Sequence, residues 1–174
     1  LNALPIGEQG QHINAFYDSV SLPEGQLFDL TFMMAIASTY VFVPFVTAGA
    51  LERMCDEDNL SKIDHLLLEW WLALTLHSDS SQMVYAVLPI FAGDVKQNDE
   101  TGGMYVEDLF ATFGDLTCIP DEVNESTYER LCEFLDHDLK TDIKPERLTV
   151  RKLVEKMFKF NSTYTRCWDP SVLK

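Results

Sequence analysis

The stretch that most constrains what this chain can fold into is residues 61–77, SKIDHLLLEWWLALTLH, its longest apolar run. Leu66, Leu67, Leu68, Trp70, Trp71, Leu72, Leu74 and Leu76 cover nearly every direction of a helical wheel, which predicts a helix packed on most of its sides. Ser61 with Asp64 three residues on has the pattern of a capping box and predicts that the helix starts there. A single acid, Glu69, stands at the centre of the run. Lys62, His65, Glu69, Leu72 and Ala73 fall along one narrow stripe, so the only polar face carries Glu69 and must line either solvent or a cleft. Glu69 therefore has two readings: a half-exposed carboxylate paired with His65 at i,i+4, or a carboxylate held in a cleft for chemistry.

A chain of 174 residues that is 47% hydrophobic is long enough for one domain with a sizeable core. Its 28 Asp+Glu against 13 Lys+Arg give a formal charge of −15, which repels phosphate backbones and anionic lipid and argues against nucleic acid or a membrane surface as partner. Cys55, Cys118, Cys132 and Cys167 are far apart, with no CxxC and no histidine at ligand spacing, so no metal site is expected. They read as reduced, mostly buried thiols of a cytoplasmic protein, with the even count leaving disulfides open. No apolar run reaches the roughly 18 residues of a membrane span. LNALPIGEQG lacks the basic start and long apolar core of a signal peptide, and with no initiator Met the chain is expected to begin inside a longer protein.

Taken in order, 11–17 reads as a short strand, SVSLPEGQ as a loop with turn formers Pro23 and Gly25, and 27–37 as a helix. YVFVPFV, β-branched and aromatic on both faces, reads as a central parallel strand over 39–46, with Pro44 as an objection to it. Residues 47–55 follow as a loop and helical turn, and 83–91 is again strand-like. Strand, helix, strand, helix, strand in sequence predicts an α/β fold with parallel strands. Further on, 96–103 reads as a loop, MYVEDLFATF as a short helix and LTCIP (116–120) as an edge strand. A helix over 126–138 is predicted with a capping box of Ser126 and Glu129, and a last one over 148–160 with Val150, Leu153, Val154, Met157 and Phe158 at helical spacing. Trp168 and its neighbours are expected to dock as a tail.

GxGxxG, P-loop, GxSxG and HExxH signatures are all absent. Read together, INAFYD, a loop with LPEG, a helix, VFVPFVTAGALERM, an acidic gap, DHLLLEWWLAL and VLPIF stand in the order of a TIR domain from its second strand onward. Over about residues 11–95 the chain resembles that family. TAGALERM and LLLEWWLAL are similar to the NAD-cleaving TIRs, and VLPIF is similar to plant immune-receptor TIRs.

The resemblance implies a flavodoxin-like TIR domain over 1–120, lacking its first strand, with a C-terminal helical extension over 121–174 packed on it. It implies parallel strands at 11–17, 39–46, 83–91 and 116–120, with a gap between the first two. In function it implies an NAD⁺ glycohydrolase of immune or cell-death signalling that releases nicotinamide and leaves ADP-ribose or its cyclic form. Glu69 takes the position of the catalytic glutamate. His65 stands four residues earlier, at the nicotinamide face, where the family usually carries Trp. Thr47, Leu22 and Gly25 are the other expected substrate-binding residues. NAD⁺ is substrate, and no further cofactor is implied. The 19–26 loop is the expected contact for self-association or for other TIR domains, which also leaves a non-enzymatic adaptor as the alternative.

Overall fold

The structure, a computed structural model, describes residues 2–6, 11–15, 28–79, 83–93, 95–97, 102–106 and 108–161. Its first elements are two strands, β1 (Asn2–Ile6) and β2 (Gln11–Ala15), paired antiparallel with Asn2 opposite Ala15 and Ile6 opposite Gln11. This corrects the expectation that 11–17 lies parallel to its neighbours. The short 7–10 connection brings 2–6 alongside 11–15 at lower closure entropy than any strand beyond residue 39.

Helix α1 (Phe28–Ala37) leads into the central pair of strands. β3 (Val41–Phe42) and β4 (Phe45–Thr47) are two halves of one strand, and β5 (Ala86–Val87) and β6 (Ile90–Ala92) are the halves of its partner. They pair in parallel, Val41 with Ala86 and Phe45 with Ile90, as the apolar runs 39–46 and 83–91 predict. Pro44 and Pro89 interrupt the pair, and the amides of Leu88 and Ile90 carry the ladder through, each 2.8 Å from the carbonyls of Phe42 and Pro44. The register puts Phe42, Pro44 and Val46 on one face with Val87 and Phe91; Val46 and Val87 are fully buried.

Between the two strands lie α2 (Ala48–Met54), a 3₁₀ turn (Glu57–Ser61) and α3 (His65–Ser78). The predicted capping box is corrected by one element. Asp64 itself is the N-cap, accepting from the Leu67 amide at 3.0 Å, while Ser61 closes the 3₁₀ turn. The all-round apolar pattern of this run does bury it: Leu67, Leu68, Trp70, Trp71, Leu72, Ala73, Leu74 and Leu76 are all inside, against α1, α5 (Glu125–Glu133), α6 (Val150–Asn161) and β5.

The 96–103 loop and the helix expected over MYVEDLFATF need correction as well. β7 (Val95–Gln97) and β8 (Met104–Val106) form an antiparallel hairpin, and only α4 (Leu109–Phe113) is helical, started by the Asp108 side chain at the Phe110 amide. Val95, Tyr105 and Val106 are of β-forming type, and the helix waits for a capping acid. Nor is 116–120 an edge strand. Leu116 has φ 51°, a left-handed conformation that no strand continues through, and Leu116 and Ile119 are buried at a spacing of three rather than two.

α5 starts at Asn124, whose side chain accepts from the Thr127 amide at 2.9 Å, so the predicted box of Ser126 and Glu129 is two residues late. The helix continues into a π-helical turn, Phe134–Asp138. α6 buries Val150, Leu153, Val154 and Met157 of the predicted stripe, and its fifth residue, Phe158, is partly buried. Cys55 and Cys118, expected as reduced and mostly buried, instead form a disulfide with Cα atoms 5.2 Å apart; Cys55 is half-buried and Cys118 exposed, whereas Cys132 is free.

Candidate functional site

α3 connects two parallel strands, so it must run counter to them, and its first turns lie at the end where β4 finishes. In a parallel α/β arrangement this is the end where ligands bind. His65 is exposed in the first turn, Glu69 is half-buried one turn further in, and Leu72 and Ala73 beyond it have no accessible surface. The polar stripe expected from spacing therefore ends at Glu69. Its carboxylate sits where the solvated start of the helix meets the closed core, between the buried Leu68 and Trp70. Thr47 is placed at the same end as the last residue of β4, where its hydroxyl oxygen caps α2 by accepting from the Ala50 amide at 3.2 Å. Its O–H remains a donor. The other two expected binding residues, Leu22 and Gly25, lie outside the described residues together with the 19–26 loop.

What holds α3 in place is a polar junction that spacing did not reveal. Arg53 of α2 donates to both carboxylate oxygens of Asp64, at 2.9 and 3.0 Å, and Asp64 is only 8% exposed. The Asp64 amide donates to the buried Thr127 hydroxyl at 2.9 Å. Asn124 donates to the carbonyls of Asn59 and Lys62, and Ser126 to that of Ser61, so the start of α5 is stitched to the segment leading into α3. The signal was present in the sequence as Asp64 and Asn124, each an N-cap residue type immediately before an apolar-periodic stretch. Their partners are distant in sequence, and no spacing rule reaches them.

On another side of α3, Trp71 donates through Nε1 to the Glu146 carbonyl at 3.0 Å, and its ring meets Tyr128 at 5.3 Å between centroids. The Tyr128 phenol is pushed above its ordinary range by burial first and then by its hydrogen bond with Cys132. A cleft of about 310 Å³ opens here, walled by Trp71, Thr75, Asp79, Asp142, Lys144 and Lys156. A second hollow of about 10 Å³ at Arg53, Asp64 and Asn124 has room for a water molecule. Glu69 lines neither. Among the described residues no group of three or more His, Cys, Asp or Glu is placed to hold a metal ion, and no helix is long and apolar enough to cross a membrane.

No protein-family model, curated protein or solved structure matches this chain.

Proposed function

We propose that the chain is a flavodoxin-like domain of TIR type that cleaves NAD⁺ at the nicotinamide–ribose bond, with Glu69 as the catalytic carboxylate. The observation that carries this reading is the position of Glu69: half-buried, within the most enclosed helix, on the binding end of a parallel strand pair. Cleavage develops oxocarbenium-like positive charge on the ribose, and a fixed carboxylate in partly water-excluded surroundings stabilises that charge better than solvent does. Nicotinamide leaves as a neutral molecule, so one carboxylate suffices and no strong general acid is required. On this reading His65, one turn toward solvent, meets the nicotinamide ring, and the Thr47 hydroxyl meets a sugar or phosphate oxygen.

Glu69→Gln keeps the size of the side chain and removes its charge. Nicotinamide release from NAD⁺, followed with purified protein, should fall about 100-fold or more with the circular dichroism unchanged. Release at the wild-type rate removes Glu69 from the chemistry.

One observation favours a second reading, that the chain signals by assembling with other TIR-type domains and turns nothing over: neither described cleft is lined by Glu69. Concentrated wild-type protein separates the two. Assembly without nicotinamide release selects the second.

A further inference from the structure

The cleft of about 310 Å³ lies away from Glu69. Its helical wall, Trp71, Leu74, Thr75 and Ser78, falls on the opposite side of α3, at successive turns of one face. The other wall belongs to the segment 140–149, which has no regular secondary structure and is nevertheless fixed along its length. The Thr141 amide holds its start by donating to the Leu135 carbonyl at 2.9 Å. Trp71 Nε1 holds its middle at the Glu146 carbonyl, and the Val150 amide, just past its end, donates to the Glu122 carbonyl at 2.8 Å. A strap pinned at three points cannot settle onto the helix, so the space between them persists. Its volume stands at the lower end for small-molecule sites and equals the liquid volume of about ten waters.

The lining divides by chemistry. Leu74, Ile143 and Leu148, with Trp71, supply an apolar part. Thr75, Ser78 and Asp79 stand at i, i+3 and i+4 where α3 ends, so two hydroxyls and a carboxylate collect at the negative end of the helix dipole. Asp142 brings a second carboxylate from the strap, and among the described residues it has neither a hydrogen bond nor a salt bridge. The two cations in the lining are already engaged, Lys156 with Glu146 and Lys144 with Asp136 at 3.1 Å. The bond to Asp136 comes first in raising the Lys144 ammonium above its ordinary range, and the charge of Asp142 contributes less. The potential left in the cleft is therefore negative, beside an apolar lining.

We propose that this cleft binds a small organic ammonium, a primary amine charged at neutral pH on a flat apolar body of roughly 10–15 heavy atoms. An ammonium carries three donors, and the carboxylates of Asp79 and Asp142 with the hydroxyls of Thr75 and Ser78 offer it acceptors of both kinds. The apolar body covers Leu74, Ile143 and Leu148. An anion of the same shape meets the carboxylates with both lysines already committed, and a neutral molecule forgoes the charge.

The probe is tryptamine, with tryptophol and indole-3-acetate as matched neutral and anionic controls. Binding is followed on the whole chain through the NMR signal of the Trp71 indole N–H, in the absence of NAD⁺, so the outcome does not depend on Glu69. The signal should move saturably with a Kd of about 1 mM for tryptamine, and both controls should bind at least about tenfold more weakly. Asp142 is exposed and outside every helix, so it can be changed without disturbing α3. Asp142→Asn should weaken tryptamine about threefold, a modest loss because solvent screens an exposed charge. Asp142→Lys should reverse the order, so that indole-3-acetate binds better than tryptamine. The proposal is overturned if the three indoles bind alike, or if Asp142→Lys leaves tryptamine binding unchanged. It is also overturned if the Trp71 signal stays in place while tryptamine is raised well above that Kd.

Discussion

Asp64 holds two roles through one carboxylate, and they can be separated. It caps α3 at the Leu67 amide and it pairs with Arg53, whose side chain is 55% exposed. Solvent around the guanidinium screens the pair, so its share is at the low end for an ion pair even though the acid is buried. Asp64→Asn keeps an acceptor for the cap and loses the charge, which should cost about 1 kcal/mol in urea unfolding. Asp64→Ala loses both and should cost about 2–3 kcal/mol. Equal losses for the two variants would show that the cap adds nothing. Glu69 was legible in the sequence as the one acid in an apolar helix. Arg53 was not, because its partner lies eleven residues on, across a 3₁₀ turn whose path no helical periodicity describes.

At the scale of elements, helix ends were read less well than helix bodies. α6 and the body of α3 have their stripes where spacing puts them, since burial of an apolar face is a sum over many residues and tolerates an error in any one. Starts depend on one side chain, and where two cap residue types stand close together the sequence does not choose. The end of α5 is a further case. Its π-helical turn closes with the Thr141 amide on the Leu135 carbonyl at 2.9 Å, which requires the intervening Lys140 to adopt φ 54°. Glycine or asparagine ordinarily takes that position, and an exposed lysine there carries strain of about 1 kcal/mol. Lys140→Gly should therefore leave the fold intact and raise stability by about 0.5–1 kcal/mol, less what glycine adds to the entropy of the unfolded chain. A lower urea midpoint would mean that Lys140 contributes contacts outweighing its backbone strain.

At the scale of the whole molecule, the Cys55–Cys118 disulfide joins the end of α2 to the turn after α4 across 63 residues of sequence. That loop contains all of α3 and the β5–β6 strand, so the bond limits how far the unfolded chain can expand around them. Chain-entropy arithmetic puts the effect near 4 kcal/mol, an upper figure because strain and residual structure subtract from it. Cys118→Ser, or reductant on the wild type, should lower the free energy of unfolding by about 2–4 kcal/mol while the far-ultraviolet circular dichroism of the folded state stays the same. An unchanged midpoint under reductant would show that α2 and α4 are held together without it.

The sequence by itself determined the mixed α/β class, the central helix, the parallel pairing of 39–46 with 83–91 and the buried stripe of α6. Each of these follows from local periodicity or from an apolar run that has nowhere to go but inside. Only the tertiary structure decided that 11–15 pairs with 2–6, that 116–120 is a turn and that 95–106 contains a hairpin. The same holds for the pairing of Cys55 with Cys118. These are choices among partners, set by loop closure, by backbone conformation at single residues and by which surfaces meet, and none of them leaves a period in the sequence. Glu69 stands on both sides of this division. Its isolation in an apolar helix is a property of the sequence, whereas its place at the boundary of solvent and core exists only once α3 is packed.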